Sequence, residues 1–146
     1  MNYIKKHLSD NEDIIYESGI HWFIFVRPLS LLLLGTLIYT TASTIVYYAS
    51  LVILIAGGLD LLKRILEKIG SIYAVTTKKV ILKSGIIRRD ALELMIHKCE
   101  GIRINQGLWG RIFNFGSIIV TTGGASNTYR YAPAPMKFKN AINNQL

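Results

Sequence analysis

Few side chains in this chain of 146 residues are spaced as catalysis or metal binding requires. His97 and Cys99 are two residues apart and could share one face of a strand, but no third residue is placed to activate the thiol. Asp90 and Glu93 are three apart, so on a strand they point to opposite faces and make a poor acid and base pair. The other two histidines have no metal-ligand spacing with His97. The sequence therefore predicts a protein that is not an enzyme and has no metal or cofactor.

The best candidates for a binding function are five basic residues near the middle of the chain. They are Lys78, Lys79, Lys83, Arg88 and Arg89. Residues 63–146 carry fourteen Lys and Arg against four Asp and Glu, a net charge of +10, whereas residues 1–62 carry three against five, a net charge of −2. A basic segment attracts either nucleic acid or anionic lipid, but no helix-turn-helix or RNP pattern accompanies these charges. Anionic lipid headgroups are therefore the predicted partner; the alternative is that the charges only keep this surface soluble or attract the membrane diffusely.

Two apolar runs, residues 22–43 and 44–62, dominate the elements that must position these charges. Each is about 20 residues long, which at about 1.5 Å per residue is enough to cross a hydrocarbon core about 30 Å thick. The alternative is a helical hairpin buried in a soluble protein, but so short a chain leaves little protein to cover it. The sequence therefore predicts a transmembrane hairpin of two helices.

The basic residues that flank these runs predict the orientation of the hairpin. Lys5 and Lys6 precede the first run, Lys63, Arg64 and Lys68 follow the second, and the segment between the runs carries no charge. By the positive-inside rule, both termini are expected on the cytoplasmic side.

Two ionisable residues, Arg27 and Asp60, interrupt the apolar runs. Counted from the turn between the runs, both lie about 21 to 23 Å along their helices, so they are expected at the same depth. Charges at such a depth usually pair or reach toward the headgroups. We therefore predict an ion pair at the inner edge of the bilayer, the alternative being that each side chain reaches the headgroups separately.

After the second run the hydrophobic period changes from that of a helix to that of strands. The predicted strands are 71–76, 79–84, 86–94, 98–106, 117–122 and 128–132. A turn of helix is expected over 107–115, where Leu108, Trp109, Ile112 and Phe113 would plug the end of a sheet, and a final helix over 136–146. The expected class is α+β: a two-helix transmembrane hairpin, then an antiparallel β-sandwich or partial barrel capped by a C-terminal helix.

Three blocks in the strand-rich part carry a resemblance to a known family. They are YAVTTKKV at 73–80, KSGIIRR at 83–89 and QGLWGRIFNFG at 106–116. The chain resembles the bacterial pleckstrin-homology-like (bPH2, or YdbS/YdbT-like) family of small membrane proteins, whose acidic lead-in is also similar to residues 12–17. The resemblance implies a PH-like fold over 70–146, a hairpin with its cytoplasmic helix extension over 20–69 and a cytoplasmic lead-in over 1–19.

This resemblance also implies a location and a role. The chain is expected to be a multi-pass protein of the bacterial inner membrane, with a cytoplasmic PH-like module that binds lipid headgroups through bases near its first hairpin loops. A second interpretation belongs to another class: a protein-interaction or self-assembly module, in which a sheet edge recruits a partner protein or another copy of the chain.

Overall fold

The computed structural model describes residues 12–41, 43–85 and 90–145. In chain order the strands are β1 (Ile14–Ser18), β2 (Ile72–Thr76), β3 (Lys79–Ser84), β4 (Asp90–Met95), β5 (Gly101–Asn105), β6 (Phe115–Thr122) and β7 (Ala125–Pro133). The helices are α1 (Val26–Thr41), α2 (Thr44–Gly70), α3 (Leu108–Ile112) and α4 (Pro135–Asn143), with 3-10 turns at Trp22–Phe25 and Ile96–Lys98. The predicted α+β class is confirmed, and two antiparallel sheets form its strand-rich part.

Helices α1 and α2 pack against each other as a hairpin, because glycine lets their backbones approach. A Cβ added at Gly35 would lie 2.9 Å from a methyl carbon of Leu54, and one at Gly57 would lie 3.1 Å from a methyl carbon of Leu32. Gly35 of α1 thus faces Leu54 of α2, whereas Gly57, which is later in α2, faces Leu32, which is earlier in α1. This order is the one that antiparallel helices require. Small residues at a helix contact are typical of membrane helices, where close packing is a main source of attraction.

The outward faces of this hairpin are apolar and exposed. Leu33 on α1 is 71% exposed and Val52 on α2 is 66% exposed. Within the described residues, one helical segment is long and apolar enough to cross a membrane. It is Trp22–Thr40, which comprises the first 3-10 turn and nearly all of α1. This finding supports one possible span near the N-terminus and does not support the predicted pair.

The strands form a four-stranded sheet in the order β1-β2-β3-β4 and a three-stranded sheet in the order β5-β6-β7. The main core lies between them and is built from alternate residues of each strand. It includes Tyr73, Val75, Leu82, Ile118 and Val120, all at most 1% exposed. Period-two alternation of this kind follows from the geometry of a strand with one buried face.

Helix α4 closes the core, as the sequence predicted. Pro135 occupies its first turn, where the missing N–H costs no hydrogen bond, and Ala134 before it has a positive φ of 42°. Phe138 and Ile142, four residues apart and therefore on one face of the helix, are fully buried. The observed helix ends at Asn143, three residues earlier than expected.

Strand β1 lies inside the segment that was predicted to be a lead-in, 1–19. Glu17 and Ser18 pair with Ala74 and Tyr73 of β2, and the Tyr16 hydroxyl donates to the Pro133 carbonyl oxygen at 2.8 Å. The division of the chain at 19/20 and 69/70 stays a prediction. The sheet, however, draws its first strand from before the hairpin, so both ends of the hairpin lead into the same sheet.

The predicted plug at the end of a sheet is wrong. Helix α3 forms where a helical turn was expected, but Leu108, Trp109 and Ile112 are more than half exposed, and Phe113 is 37% exposed. Composition predicted burial because large apolar residues usually pack inside. Part of another predicted strand, residues 86–89, lies outside the described residues.

Candidate functional site

The two ends of strand β3 lie at very different distances from the hairpin. Helix α2 ends at Gly70 and β2 starts at Ile72, which pairs with Lys83 near the end of β3. Lys78 lies in the turn at the far end of both strands. Five residues of strand cover about 17 Å. We call the end that carries Lys83 the proximal end and the end that carries Lys78 the distal end.

The predicted basic group is therefore not gathered in one place among the described residues. Lys83 lies at the proximal end, Lys78 and Lys79 lie at the distal end, and Arg88 and Arg89 lie outside the described residues. The predicted strand 79–84 already implied this division, because Lys79 and Lys83 lie at its two ends.

At the distal end, the Lys79 ammonium forms ion pairs with two carboxylates. Its Nζ lies 3.7 Å from Glu12 Oε2 and 3.7 Å from Glu93 Oε2. The Glu12 side chain is fully buried, and its other oxygen accepts a short hydrogen bond from the Thr76 hydroxyl. Lys79 and its two carboxylates line a cleft of about 650 Å³ that also includes Lys78 and His97. With two acids against Lys79, this cleft is poorly suited to bind an anion at that lysine.

His97 and Cys99, which the sequence did not favour as a catalytic pair, do not share a strand face in this fold. His97 is exposed in a 3-10 turn, not on a strand, whereas Cys99 is half-buried and packs against the core. Burial raises the pKa of the Cys99 thiol, which disfavours the thiolate. Within the described residues, no group of three His, Cys, Asp or Glu side chains is arranged to hold a metal ion.

At the proximal end, a polar cleft of about 360 Å³ separates the base of the hairpin from the sheets. An adjoining cleft of about 460 Å³ shares Glu67, Ser84, Thr128 and Tyr129 with it. We call the two together the proximal cleft. Its basic lining residues are Arg27, Arg64 and Arg130, which come from α1, α2 and β7.

Four of the residues at the base of the hairpin form a chain of ion pairs. Arg27 Nε lies 3.9 Å from Asp60 Oδ2, Arg64 Nε lies 3.4 Å from Asp60 Oδ1, and Arg64 Nη1 donates to Glu67 Oε2 at 2.8 Å. Two arginines and two acids balance in charge. The Arg27 side chain is nevertheless open to solvent, because it is 72% exposed.

Arg130 adds a positive charge beyond this balanced set. It is exposed and has no ion-pair partner among the residues that the structure describes. A β-bulge shifts the register of β6 and β7 at this point, and Tyr131 there has a positive φ of 56°. Bulges commonly redirect side chains at binding sites.

Two hydrogen bonds fix the backbone around Arg130. The buried Tyr73 hydroxyl donates to the Arg130 carbonyl oxygen at 3.1 Å, and the His21 backbone N–H donates to the Tyr131 carbonyl oxygen at 2.7 Å. Burial raises the pKa of Tyr73, so its hydroxyl keeps the proton that it donates. The segment leading into α1 is thus bound to the strand that carries Arg130.

Sequence reasoning missed both Arg64 and Arg130 as site residues. Arg64 follows Asp60 by four positions on a helix, a spacing that identifies an ion pair and could have revealed it. No signal in the sequence marks Arg130, because its position depends on the bulge.

Comparison with known proteins identifies the family. The model of the bacterial PH domain family matches residues 24–146. A solved structure of a DUF1696 family protein with a pleckstrin-homology domain, from Shewanella loihica PV-4, is similar at 7% identity and a TM-score of 0.48, covering 98% of this chain and 90% of that chain. No curated protein matches the chain. The match of the family model confirms the PH-like part of the resemblance seen in the sequence, and this chain belongs to the bacterial PH domain family.

Proposed function

We propose that this chain is a non-enzymatic protein of the bacterial inner membrane, whose hairpin anchors a PH-like module that binds the anionic headgroups of the cytoplasmic leaflet. A PH-like domain supports a lipid- or protein-binding module. The observation that carries the membrane part is the hairpin itself. Its outward faces are apolar along both helices, and leucines such as Leu37 on α1 and Leu59 on α2 are well over half exposed. Exposed apolar surface of that extent is unfavourable in water, and contact with acyl chains removes it from water.

The proximal cleft supports the headgroup part of the proposal. It lies at the base of the hairpin, so anchoring would hold it at the level of the phosphates. Arg27 is exposed there, and Arg130 adds a positive charge that the ion pairs do not neutralise. A well-placed base attracts an anionic leaflet by about 1 kcal/mol, and arginine binds phosphate with two parallel hydrogen bonds. Lys79 and Lys78 lie about 14 and about 17 Å further along the strand from the hairpin, estimated from the strand rise, so they contribute less.

The direct test of anchoring uses the full chain in native membranes. We expect it to remain in vesicles after carbonate and high-salt washing, and a reporter fused after Leu146 to lie on the cytoplasmic side. Release of the chain by either wash would refute anchoring. A reporter on the outer side would refute the orientation of both termini.

The test of headgroup binding compares lipids with the purified full chain in a neutral detergent. We expect added phosphatidylglycerol to raise the Tm, and phosphatidylcholine to have little effect. The double variant Arg27→Gln with Arg130→Gln should lose most of that rise. The matched control is Arg103→Gln with Lys137→Gln, which also removes two exposed charges, from β5 and α4, outside the proximal cleft. Equal stabilisation by both lipids, or equal loss in the control, would count against a headgroup site.

A second function, binding of a partner protein or another copy, is favoured by one observation. Strands β1 and β4 are the two outer strands of the four-stranded sheet among the described residues, and an outer strand offers unpaired backbone groups to a further strand. Crosslinking in native membranes would test this. A defined larger species that is lost when a proline replaces the exposed Ala91 of β4, and that is insensitive to lipid charge, would favour the partner over the lipid.

A further inference from the structure

Four apolar side chains of helix α3 and the residue after it form an exposed surface beside the start of the hairpin. We call this group the α3 surface; its members are Leu108, Trp109, Ile112 and Phe113. Leu108 is 81% exposed and Ile112 is 69% exposed. Contiguous exposed apolar residues mark a surface that meets a partner or a membrane.

The α3 surface is held in place by the residues beneath it. The Gln106 side-chain amide donates to the Phe115 carbonyl oxygen at 3.0 Å and to the Gly110 carbonyl oxygen at 3.3 Å. Gly110 is buried so closely that an added Cβ would lie 2.5 Å from the Phe115 oxygen. Gly116 has similarly little room, with the Asn105 carbonyl oxygen 2.9 Å from an added Cβ. The QGLWGRIFNFG block therefore builds a firmly held base that presents its apolar residues outward.

Aromatic contacts join this surface to the helix that is the candidate membrane span. The ring of Phe113 lies 5.7 Å from that of Trp22 and 5.4 Å from that of Phe23, measured between centroids. Phe23 in turn stacks on Phe115 at 4.4 Å. Trp22 is the first residue of the candidate span Trp22–Thr40. The α3 surface thus begins where the span begins.

We propose that the α3 surface inserts into the interfacial layer of the leaflet from which α1 enters the membrane, as a second point of attachment for the PH-like module. This inference rests on the proposed anchoring. A bilayer is favoured over a protein partner because the surface continues directly from the span. Its composition also fits: tryptophan is typical of the interfacial layer, leucine, isoleucine and phenylalanine suit the acyl chains below, and the exposed Arg111 can reach phosphates.

The attachment would fix how the module is oriented on the membrane. A second contact on α3 would restrain the tilt of the whole chain relative to the bilayer. It would also hold the cleft-lining Arg130 toward the headgroups, since β7 pairs with β6, which directly follows α3.

The test uses the two tryptophans of the full chain, reconstituted in vesicles of phosphatidylcholine and phosphatidylglycerol. Trp22→Phe leaves Trp109 as the only tryptophan, and Trp109→Phe leaves Trp22. The probe is phosphatidylcholine brominated near the headgroup end of its acyl chains. We expect it to quench about half of the Trp109 emission, similar to Trp22, because both lie in the interfacial layer. Ile112→Asp in the Trp22→Phe protein should reduce that quenching several-fold.

The outcomes separate the two proposals. Quenching of Trp22 without quenching of Trp109 overturns insertion of the α3 surface and leaves anchoring intact. Quenching of neither residue overturns both. If Trp109 is shielded from acrylamide but is not quenched by brominated lipid, a second copy of the chain covers the surface and insertion is likewise overturned.

Discussion

Asp60 and Arg64, one turn apart on α2, form a closer ion pair than the predicted one between Arg27 and Asp60. The Arg64 Nε to Asp60 Oδ1 distance is 3.4 Å, whereas Arg27 Nε is 3.9 Å from the other oxygen. The Arg64 side chain is also mostly covered, while that of Arg27 is mostly exposed. Ion pairs with an exposed partner contribute little, because solvent screens them.

We therefore expect Asp60 to couple more strongly to Arg64 than to Arg27. A double-mutant cycle with Asp60→Asn and Arg64→Gln should give a coupling energy of about 1 kcal/mol, and one with Arg27→Gln should give less than about 0.5 kcal/mol. The measurement is unfolding of the full chain in detergent. A larger coupling with Arg27 would show that the observed geometry does not describe the energetics of this site.

Gly110 should not tolerate even one added methyl group. In the Gly110→Ala variant the Cβ would lie 2.5 Å from the Phe115 carbonyl oxygen, so the backbone of α3 or β6 must move. We expect a loss of about 1 to 3 kcal/mol in the free energy of unfolding, the usual cost of overpacking.

Gly107 provides the matched control for this change. It lies three residues earlier, has an ordinary φ of −73°, and has nothing within 4 Å of an added Cβ. Gly107→Ala should change the free energy of unfolding by no more than about 0.5 kcal/mol. Equal effects of the two substitutions would mean that the close approach of Gly110 to Phe115 does not limit which residue can stand at position 110.

The strands after the hairpin could be predicted from the sequence, because buried and exposed residues alternate along them. The place of β1 could not: a five-residue strand gives little periodic signal, and its partner β2 follows more than fifty residues later. The exposure of Trp109 could not be predicted either, since the type of an apolar residue does not show whether it packs in the core or lies on the surface. The position of Arg130 in the proximal cleft could not be predicted, because it depends on a bulge, and the composition of a strand does not show where its register shifts.

The position of β1 leads to a prediction for Tyr16. Its hydroxyl donates to the Pro133 carbonyl oxygen at 2.8 Å, and its ring meets Phe138 edge-on at 5.8 Å. Tyr16→Phe keeps the ring and removes the hydrogen bond, so we expect a loss of about 1 kcal/mol in the free energy of unfolding. Tyr16→Ala should cost more, because it also removes core packing. If neither change affects unfolding, β1 is not part of the cooperative structure.

The stability of the base of the hairpin should depend on pH through His21. Its Nδ1 accepts a hydrogen bond from the Phe23 backbone N–H at 3.3 Å, which requires that nitrogen to be unprotonated. Burial, and secondly the positive charge of Lys68, lower the pKa of His21 in the folded chain. The unfolded chain, with a histidine pKa of about 6.5, therefore takes up the proton first as the pH falls. Stability from His21 is complete above that value and is lost progressively below it, down to the folded pKa.

His21→Asn is the variant that isolates this effect, because asparagine keeps an acceptor near Phe23 and does not titrate. We expect the Tm of the wild-type chain to fall further than that of the variant between about pH 7.5 and about pH 5.5, a window that spans the histidine pKa. Other groups titrate equally in both proteins, so the difference reports His21 alone. Parallel curves would show that His21 has the same proton affinity in the folded and unfolded chain, and that its contact with Phe23 contributes nothing to pH-dependent stability.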